Sequence, residues 1–307
     1  MVNSDAKNIK KKNYKIAVVT GSSSGIGFET SLLLARNGFY TYATMRNPKK
    51  SEEHVINIAN SEKLPLQVIQ LDVTEDRSVR EAIDRITVEQ GRIDVLINNA
   101  GYLLLGPLEE LYIDEFKEQF ETNFFGAIRV TQKVLPIMRK QREGTIVNIS
   151  SIAGMMGFPL SSAYVSSKFA LEGLSESMAY EVEQFGIKVI LIEPGVIKTN
   201  IYNNFKMAKS VTDNTRHNTD TNYNSSSPFA EMIRNRIGGI GPRLKSGISP
   251  IEVAKVILKI VTSENTNLRY LVGEDSFKLL DMRKNLSDKD LMELVRQSVL
   301  RYGKKQE

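Results

Sequence analysis

Seven short apolar runs, rich in β-branched residues, are separated by longer stretches with apolar residues at helical spacing. They are Lys15 to Thr20, Tyr40 to Thr44, Leu66 to Leu71, Val95 to Asn98, Thr145 to Ile149, Lys188 to Ile192 and Tyr270 to Val272. A near-continuous apolar run suits a strand buried on both faces, which is the environment inside a parallel sheet. Strands alternating with helices predict one α/β domain over residues 14–275, a doubly wound, seven-stranded parallel sheet with helices on both faces. After the first run, Phe28, Leu32, Leu33 and Ala35 suit a helix that ends at Gly38.

The 307 residues would allow one large domain or two small ones, and the alternation favours one. Residues 276–307 place Leu280, Leu291, Leu294, Val295 and Val299 at roughly helical spacing. They predict a C-terminal helical extension, packed on the core or on another subunit. Met1 to Asn13 is polar and ends in Lys10-Lys11-Lys12, so it reads as a frayed tail and not a secretory signal. No window reaches the roughly 18 apolar residues of a membrane span, so no transmembrane segment is expected. The absence of cysteine excludes disulfides and thiolate catalysis and fits a reducing, cytoplasmic setting. A net charge of +5 includes lysines of the two tails, such as Lys304 and Lys305. It reads as a solvated basic surface, with no nucleic-acid partner.

Candidate chemistry begins just after the first strand, where Gly21-Ser22-Ser23-Ser24-Gly25-Ile26-Gly27 leads into a helix. Glycines there let the backbone turn sharply and approach a pyrophosphate, while the helix start attracts negative charge. Farther on, Tyr164 and Lys168 stand four residues apart, on one face if helical. A free phenol has a pKa of about 10, so a neighbouring ammonium is needed before it exchanges protons near neutral pH. Ser151, thirteen residues upstream of Tyr164, adds a hydroxyl, and the three together suit proton transfer at one carbonyl oxygen. Taken alone, Tyr-x-x-x-Lys also describes an ordinary amphipathic helix face.

Thr20-Gly-Ser-Ser-Ser-Gly-Ile-Gly27, Asn98-Asn-Ala-Gly101, Ser151, Tyr164-x-x-x-Lys168 and Pro194-Gly195 occur in the order and spacing of one family. The chain thereby resembles the short-chain dehydrogenases/reductases, strongly over residues 14–200 and more loosely to about residue 275. The resemblance implies a Rossmann-type fold and an NAD(P)-dependent oxidoreductase that interconverts a carbonyl and an alcohol. It implies a catalytic set of Asn123, Ser151, Tyr164 and Lys168, in which the phenol exchanges the proton and the serine steadies the oxygen. The lysine would favour the phenolate and hold the nicotinamide ribose, and Asn123 would hold a water linking Lys168 to solvent. Cofactor contacts are implied at Gly21, Ser23, Ser24, Gly25, Ile26 and Gly27, at Asp72 and Val73, and at Asn99, Ala100 and Gly101. Tyr164, Lys168, Pro194, Gly195, Ile197 and Thr199 complete that set.

Several residues admit a plainer role. Ser150 adjoins Ser151, and strand alternation points it to the other side. Asp72 could instead cap a helix. Met45 stands where an NAD enzyme would carry an acid, and Arg46 follows with a fork suited to a 2′-phosphate. NADP(H) is therefore expected and NAD(H) possible, with Arg46 otherwise an exposed loop cation.

Residues 200–243, rich in Asn, Ser and Thr, read as a mobile substrate-binding flap without clear periodicity, or as disorder without function. Met207, Phe229, Met232, Ile233, Leu103 to Leu105 and Met155 to Pro159 would line an apolar pocket or simply pack. Tyr42 to Asn47, Glu172 to Ser177 and Arg269 to Gly273 look most like family members acting on retinoids, steroids and other lipophilic carbonyls. NADPH-dependent reduction of a lipophilic aldehyde or ketone is the expected activity. A silent NADP-binding regulator and, more remotely, a sugar-nucleotide epimerase or dehydratase are the alternatives. Ala170, Gly173, Ser177 and Tyr180 form a face of the Tyr164 helix, for a homodimer, a homotetramer or an internal contact. No metal site is expected.

Overall fold

The computed structural model describes residues 14–199, 205–212 and 227–300. Seven parallel strands form the central sheet: β1 Lys15–Val19, β2 Phe39–Met45, β3 Leu66–Gln70, β4 Val95–Asn98, β6 Gly144–Ile149, β7 Ile187–Pro194 and β9 Arg269–Val272. Their order is β3-β2-β1-β4-β6-β7-β9, with every neighbouring pair parallel. All seven strands read from the sequence are present, with ends shifted by at most two residues. The helices between them are α1 Gly25–Arg36, α2 Pro48–Ser61, α3 Asp76–Gln90, α4 Ile113–Phe120, α5 Gly126–Gln141 and α6 Ser162–Val182.

Alternation along each strand divides the core into two faces. Ile16, Val18, Tyr42, Leu96 and Ile146 point into one cluster with Val79, Ile83 and Ile86 of α3 and Val130 and Val134 of α5. Ala17, Val19, Ile97, Val147 and Ile190 point into the other, against Leu34 of α1 and Val253 and Ile257 of a later helix. Burial on both sides is why these strands carry apolar runs in place of alternating polar ones. The strand order reverses between β1 and β4, and the carboxyl ends on either side of that reversal form the crevice in which ligands bind in such sheets.

The stretch 200–243 departs from the structureless segment expected of it. β5 Leu104–Leu105 pairs in parallel with β8 Lys206–Met207, and α7 Lys209–Thr212, α8 Ala230–Gly238 and α9 Ile240–Ser246 follow. Ala208, Val211 and Ile233 bury one another with Leu160, joined by Met207 and Phe229. Of the pocket candidates, Met207, Phe229 and Ile233 are thus packing residues. Residues 200–204 and 213–226 lie outside the described residues. α10 Pro250–Val261 covers the second core face, contributing Val253 and Ile257.

α11 Glu274–Asn285 and α12 Asp288–Leu300 make up the C-terminal extension, which begins two residues before the expected boundary at 276. Leu279, Leu280 and Leu291 pack with Ile152 and Met156, so the extension lies on the core of its own chain. By contrast, Gly173, Ser177 and Tyr180 of α6 are exposed, and nothing lies within 4 Å of a Cβ built at Gly173. Ala170 is half-buried, so only the Gly173, Ser177 and Tyr180 part of this face lies open.

Candidate active site

The loop after β1 owes its shape to glycines at two positions. Gly21 has φ of 68°, and a Cβ there would lie 2.8 Å from the Ala100 Cα. Gly27 admits no side chain, since its Cβ would lie 2.4 Å from Asn99 Nδ2. Asn99 braces this close approach by donating from Nδ2 to the carbonyls of Thr20 and Gly21. Thr20 Oγ1 in turn accepts from the amides of Asn99 and Ala100, each at 3.0 Å. Ser24 stands at the start of α1 without a side-chain cap, Ser23 is exposed, and Ile26 lines the cavity described below. Gly25 faces Thr199 across the crevice, its Cβ position 3.2 Å from Thr199 Cγ2.

Arg46 is exposed at the end of β2, and its carbonyl accepts from Gln70. Asp72 is not a helix cap. Its Oδ1 accepts from the Thr74 amide at 3.0 Å and the Thr74 hydroxyl at 2.8 Å, closing a turn, while Glu75 occupies the cap position of α3. Val73 is buried against Gly126 and its carbonyl accepts from Arg129.

A cavity of about 460 Å³ opens at the carboxyl ends of β4, β6 and β7, and Tyr164, Lys168, Ser151 and Asn123 all line it. α6 carries Tyr164 and Lys168 one turn apart, with the ammonium 5.8 Å from the phenol ring centroid. Lys168 Nζ donates to the Ile149 carbonyl at 2.7 Å. Its burial lowers the Lys168 pKa to about 8, against the opposing charge of Glu172. Ser151 caps a short turn, its Oγ accepting from the Ala153 amide at 3.1 Å. Ser150 is buried, and its Oγ lies 2.8 Å from where a Gly154 Cβ would stand, on the side of Glu172.

Asn123 sits in a wide π-type turn, Glu121–Phe125, between α4 and α5. Its Oδ1 accepts from the Tyr102 amide, and its Nδ2 donates to the Tyr102 carbonyl and to Ser167 Oγ. A Cβ on Gly101 would lie 3.1 Å from that Oδ1. Pro194, Gly195, Ile197 and Thr199 supply another wall of the cavity. Gly195 N–H donates to Val272 O and Lys198 N–H to Ile248 O, which tie this loop to its neighbours. Leu103, Phe158 and Pro159 are the apolar candidates that reach the cavity, together with Leu279 and Val295 of the extension.

A profile described as short chain dehydrogenase matches residues 15–210. The chain belongs to the short chain dehydrogenase family. A 3-ketodihydrosphingosine reductase of Bacteroides thetaiotaomicron is 39% identical over 84% of this chain and 88% of its own length. Retinol dehydrogenase 8 of Bos taurus is 36% identical over 83% of this chain and 80% of its own. Among solved structures, ElxO with NADP bound is 30% identical and superposes with a TM-score of 0.67, over 86% of this chain and 99% of that one.

Two features of this short chain dehydrogenase were not found in its sequence. Asp275, in the first turn of α11, accepts from the Val196 amide through Oδ2 at 2.6 Å and fills the space a Gly195 side chain would need. The partners are 79 residues apart, and no spacing pattern joins them. The second feature lies behind Lys168. Arg269 Nε is 3.0 Å from Glu172 Oε2 and 3.4 Å from Glu193 Oε1, and its Nη2 is 2.8 Å from Glu176. Burial, then the charge of Glu172, pushes the Glu193 carboxyl up to about 7. Glu172 is likewise raised, chiefly by burial. A glutamate inside the apolar run of β7 was the visible signal for Glu193.

Proposed function

We propose that this oxidoreductase reduces a lipophilic aldehyde or ketone with NADPH. The observation that carries the proposal is the convergence of Tyr164, Lys168 and Ser151 on one largely apolar cavity. The residues present fit a dinucleotide: Gly21, Gly25 and Gly27 keep side chains out of the loop, and Ser24 leaves the first amides of α1 uncapped by a side chain. Ser23, Ser24, Ile26, Asn99, Ala100 and Gly101 would line its path, with Asp72 and Val73 at the adenine edge. Pro194, Gly195, Ile197 and Thr199 would hold the carboxamide end. Arg46, a guanidinium with no ion pair among the described residues, suits a 2′-phosphate. The related ElxO was solved with NADP bound, in agreement with that preference, and NAD remains the weaker choice.

When bound, the nicotinamide would supply the hydride. Tyr164 would donate the phenolic proton to the substrate oxygen, and Ser151 Oγ would stabilise the charge growing there. Lys168, protonated below about pH 8, favours the negative charge left on the phenol and would hold the ribose hydroxyls. Asn123, in the π-type turn and bonded to Ser167 next to Lys168 in sequence, would hold a water that passes the proton from solvent. The names of the Bacteroides reductase and the bovine retinol dehydrogenase support a lipophilic substrate and a carbonyl–alcohol reaction. The exposed face of α6 would serve a homodimer or homotetramer.

The test is oxidation of NADPH and of NADH by the purified protein against a panel of aliphatic, retinoid and steroid carbonyls, with Tyr164→Phe as control. Turnover with NADPH that collapses in Tyr164→Phe is expected. Confirmed cofactor binding without turnover on any carbonyl would refute the reductase and favour a silent regulator.

A further inference from the structure

A second recess, of about 820 Å³, lies beside the catalytic cavity, and Phe158, Pro159 and Val295 line both. Met155, Met156, Phe169, Met232, Leu291 and Met292 give this groove its apolar surface. Three of them remain open to water, Met292 at 64%, Phe169 at 46% and Met232 at 39% exposure. Water-exposed apolar side chains gathered along one groove mark a surface that gains by being covered.

Three of the four charged residues lining it, Arg283, Asp288 and Arg296, are held in ion pairs, and Glu231 is the fourth. Arg283 pairs with Asp288 at 2.6 Å, and Arg296 with Glu293 at 2.7 Å. Four of the ten methionines in the chain line the recess. Their unbranched thioethers adapt to a ligand without fixed shape.

The same helices wall both spaces. α8 presents Arg236 to the cavity and Met232, one turn earlier, to the groove; α12 presents Leu294 to the cavity and Leu291 and Met292 to the groove. A ligand reaching from Tyr164 into the groove would pass Phe158, Pro159 and Val295, the residues the two spaces share. An alkyl chain, free to rotate about each single bond, can follow such a wall and the flexible methionines along it.

Resting on the assignment of the cavity to carbonyl reduction, we propose that the groove seats the alkyl tail of the substrate, a straight-chain carbonyl compound whose reacting carbon lies at Tyr164. The methionines then select for chain length, while the catalytic cavity handles only the carbonyl end.

The test uses butanal, hexanal, decanal and tetradecanal with NADPH, on the wild type and on the paired variant Met232→Gln, Met292→Gln. In the wild type, kcat/KM should climb by up to about fourfold for each methylene that reaches the groove, the equivalent of its transfer from water. The variant should bring tetradecanal down towards butanal. Fluorescence of cis-parinaric acid gives a readout independent of turnover: the probe should brighten on the wild type, be displaced by tetradecanal and not butanal, and bind at least tenfold more weakly to the variant. Parinarate binding to the variant as tight as to the wild type would overturn the proposal. So would a kcat/KM that does not vary with chain length. A variant that changes the oligomeric state in light scattering but keeps the length profile would assign the groove to a second copy of the chain. If no aldehyde is reduced while parinarate binding follows the expected pattern, the reductase assignment fails and the groove stands.

Discussion

Asp275 joins the C-terminal extension to the wall of the cavity assigned to the nicotinamide, and replacing it should loosen that wall. Asp275→Ala removes the acceptor of the Val196 amide, held at 2.6 Å, and empties the space against Gly195. A hydrogen bond to a charged group contributes roughly 1.5–3 kcal/mol. For a chain of this size that corresponds to a fall in Tm of roughly 2–5 °C. The loop keeps its ties from Gly195 to Val272 and from Lys198 to Ile248, so it should loosen without unfolding. If about half of the lost energy is felt by the cofactor, NADPH should bind about tenfold more weakly at the upper end of that range. Asp275→Asn retains one carbonyl oxygen and should fall between wild type and alanine. Hydrogen exchange over residues 194–199 reports the loop directly without cofactor, and NADPH fluorescence titration reports affinity. Unchanged protection of residues 194–199 in Asp275→Ala, with unchanged NADPH affinity, would refute the clamp.

Three further substitutions probe other parts of the site. Gly27→Ala places a methyl 2.4 Å from Asn99 Nδ2 and 2.5 Å from the Gly21 carbonyl; it should cost about 1–3 kcal/mol in a thermal melt and at least about tenfold in NADPH affinity. Arg46→Ser should lower the NADPH over NADH preference in kcat/KM by roughly tenfold or more, the worth of one charge-assisted contact. Glu193 holds its proton to about pH 7 in the folded chain, whereas an unfolded glutamate loses it near about pH 4.3. The folded state therefore binds more protons between those values, so stability should fall as pH rises through that window and level off above it. Glu193→Gln, which mimics the protonated acid, should flatten the slope when urea midpoints are compared at about pH 5 and about pH 8.

The sheet was legible because its inner strands are buried on both faces and so write continuous apolar runs, as in Val18 and Val19 of β1 or Ile190 to Ile192 of β7. The glycine loop was legible because Gly21 and Gly27 meet steric demands that no other residue satisfies. Long-range polar contacts left no such trace. Asp275 reaches Val196, and Arg269 reaches Glu172, Glu176 and Glu193, only because β7, β9, α6 and α11 lie side by side in the fold. The helices α8 and α9 were hidden for another reason: they are nine and seven residues long, too short for periodicity to stand out beside a polar stretch. The sequence left a cap open for Asp72 beside its cofactor role because a turn and a helix start use the same side-chain oxygen in the same way.

Hydride transfer to a carbonyl carbon, with the proton drawn from Tyr164, is the central claim, and isotope tracing tests it most directly. NADPH deuterated at the reactive nicotinamide carbon is incubated with the purified protein and decanal, and the alcohol is weighed by mass spectrometry. The alcohol should carry one deuterium on carbon, and Tyr164→Phe should bind NADPH yet form almost none of it. Decanol without deuterium, or equal labelling by Tyr164→Phe at an unchanged rate, would contradict the account.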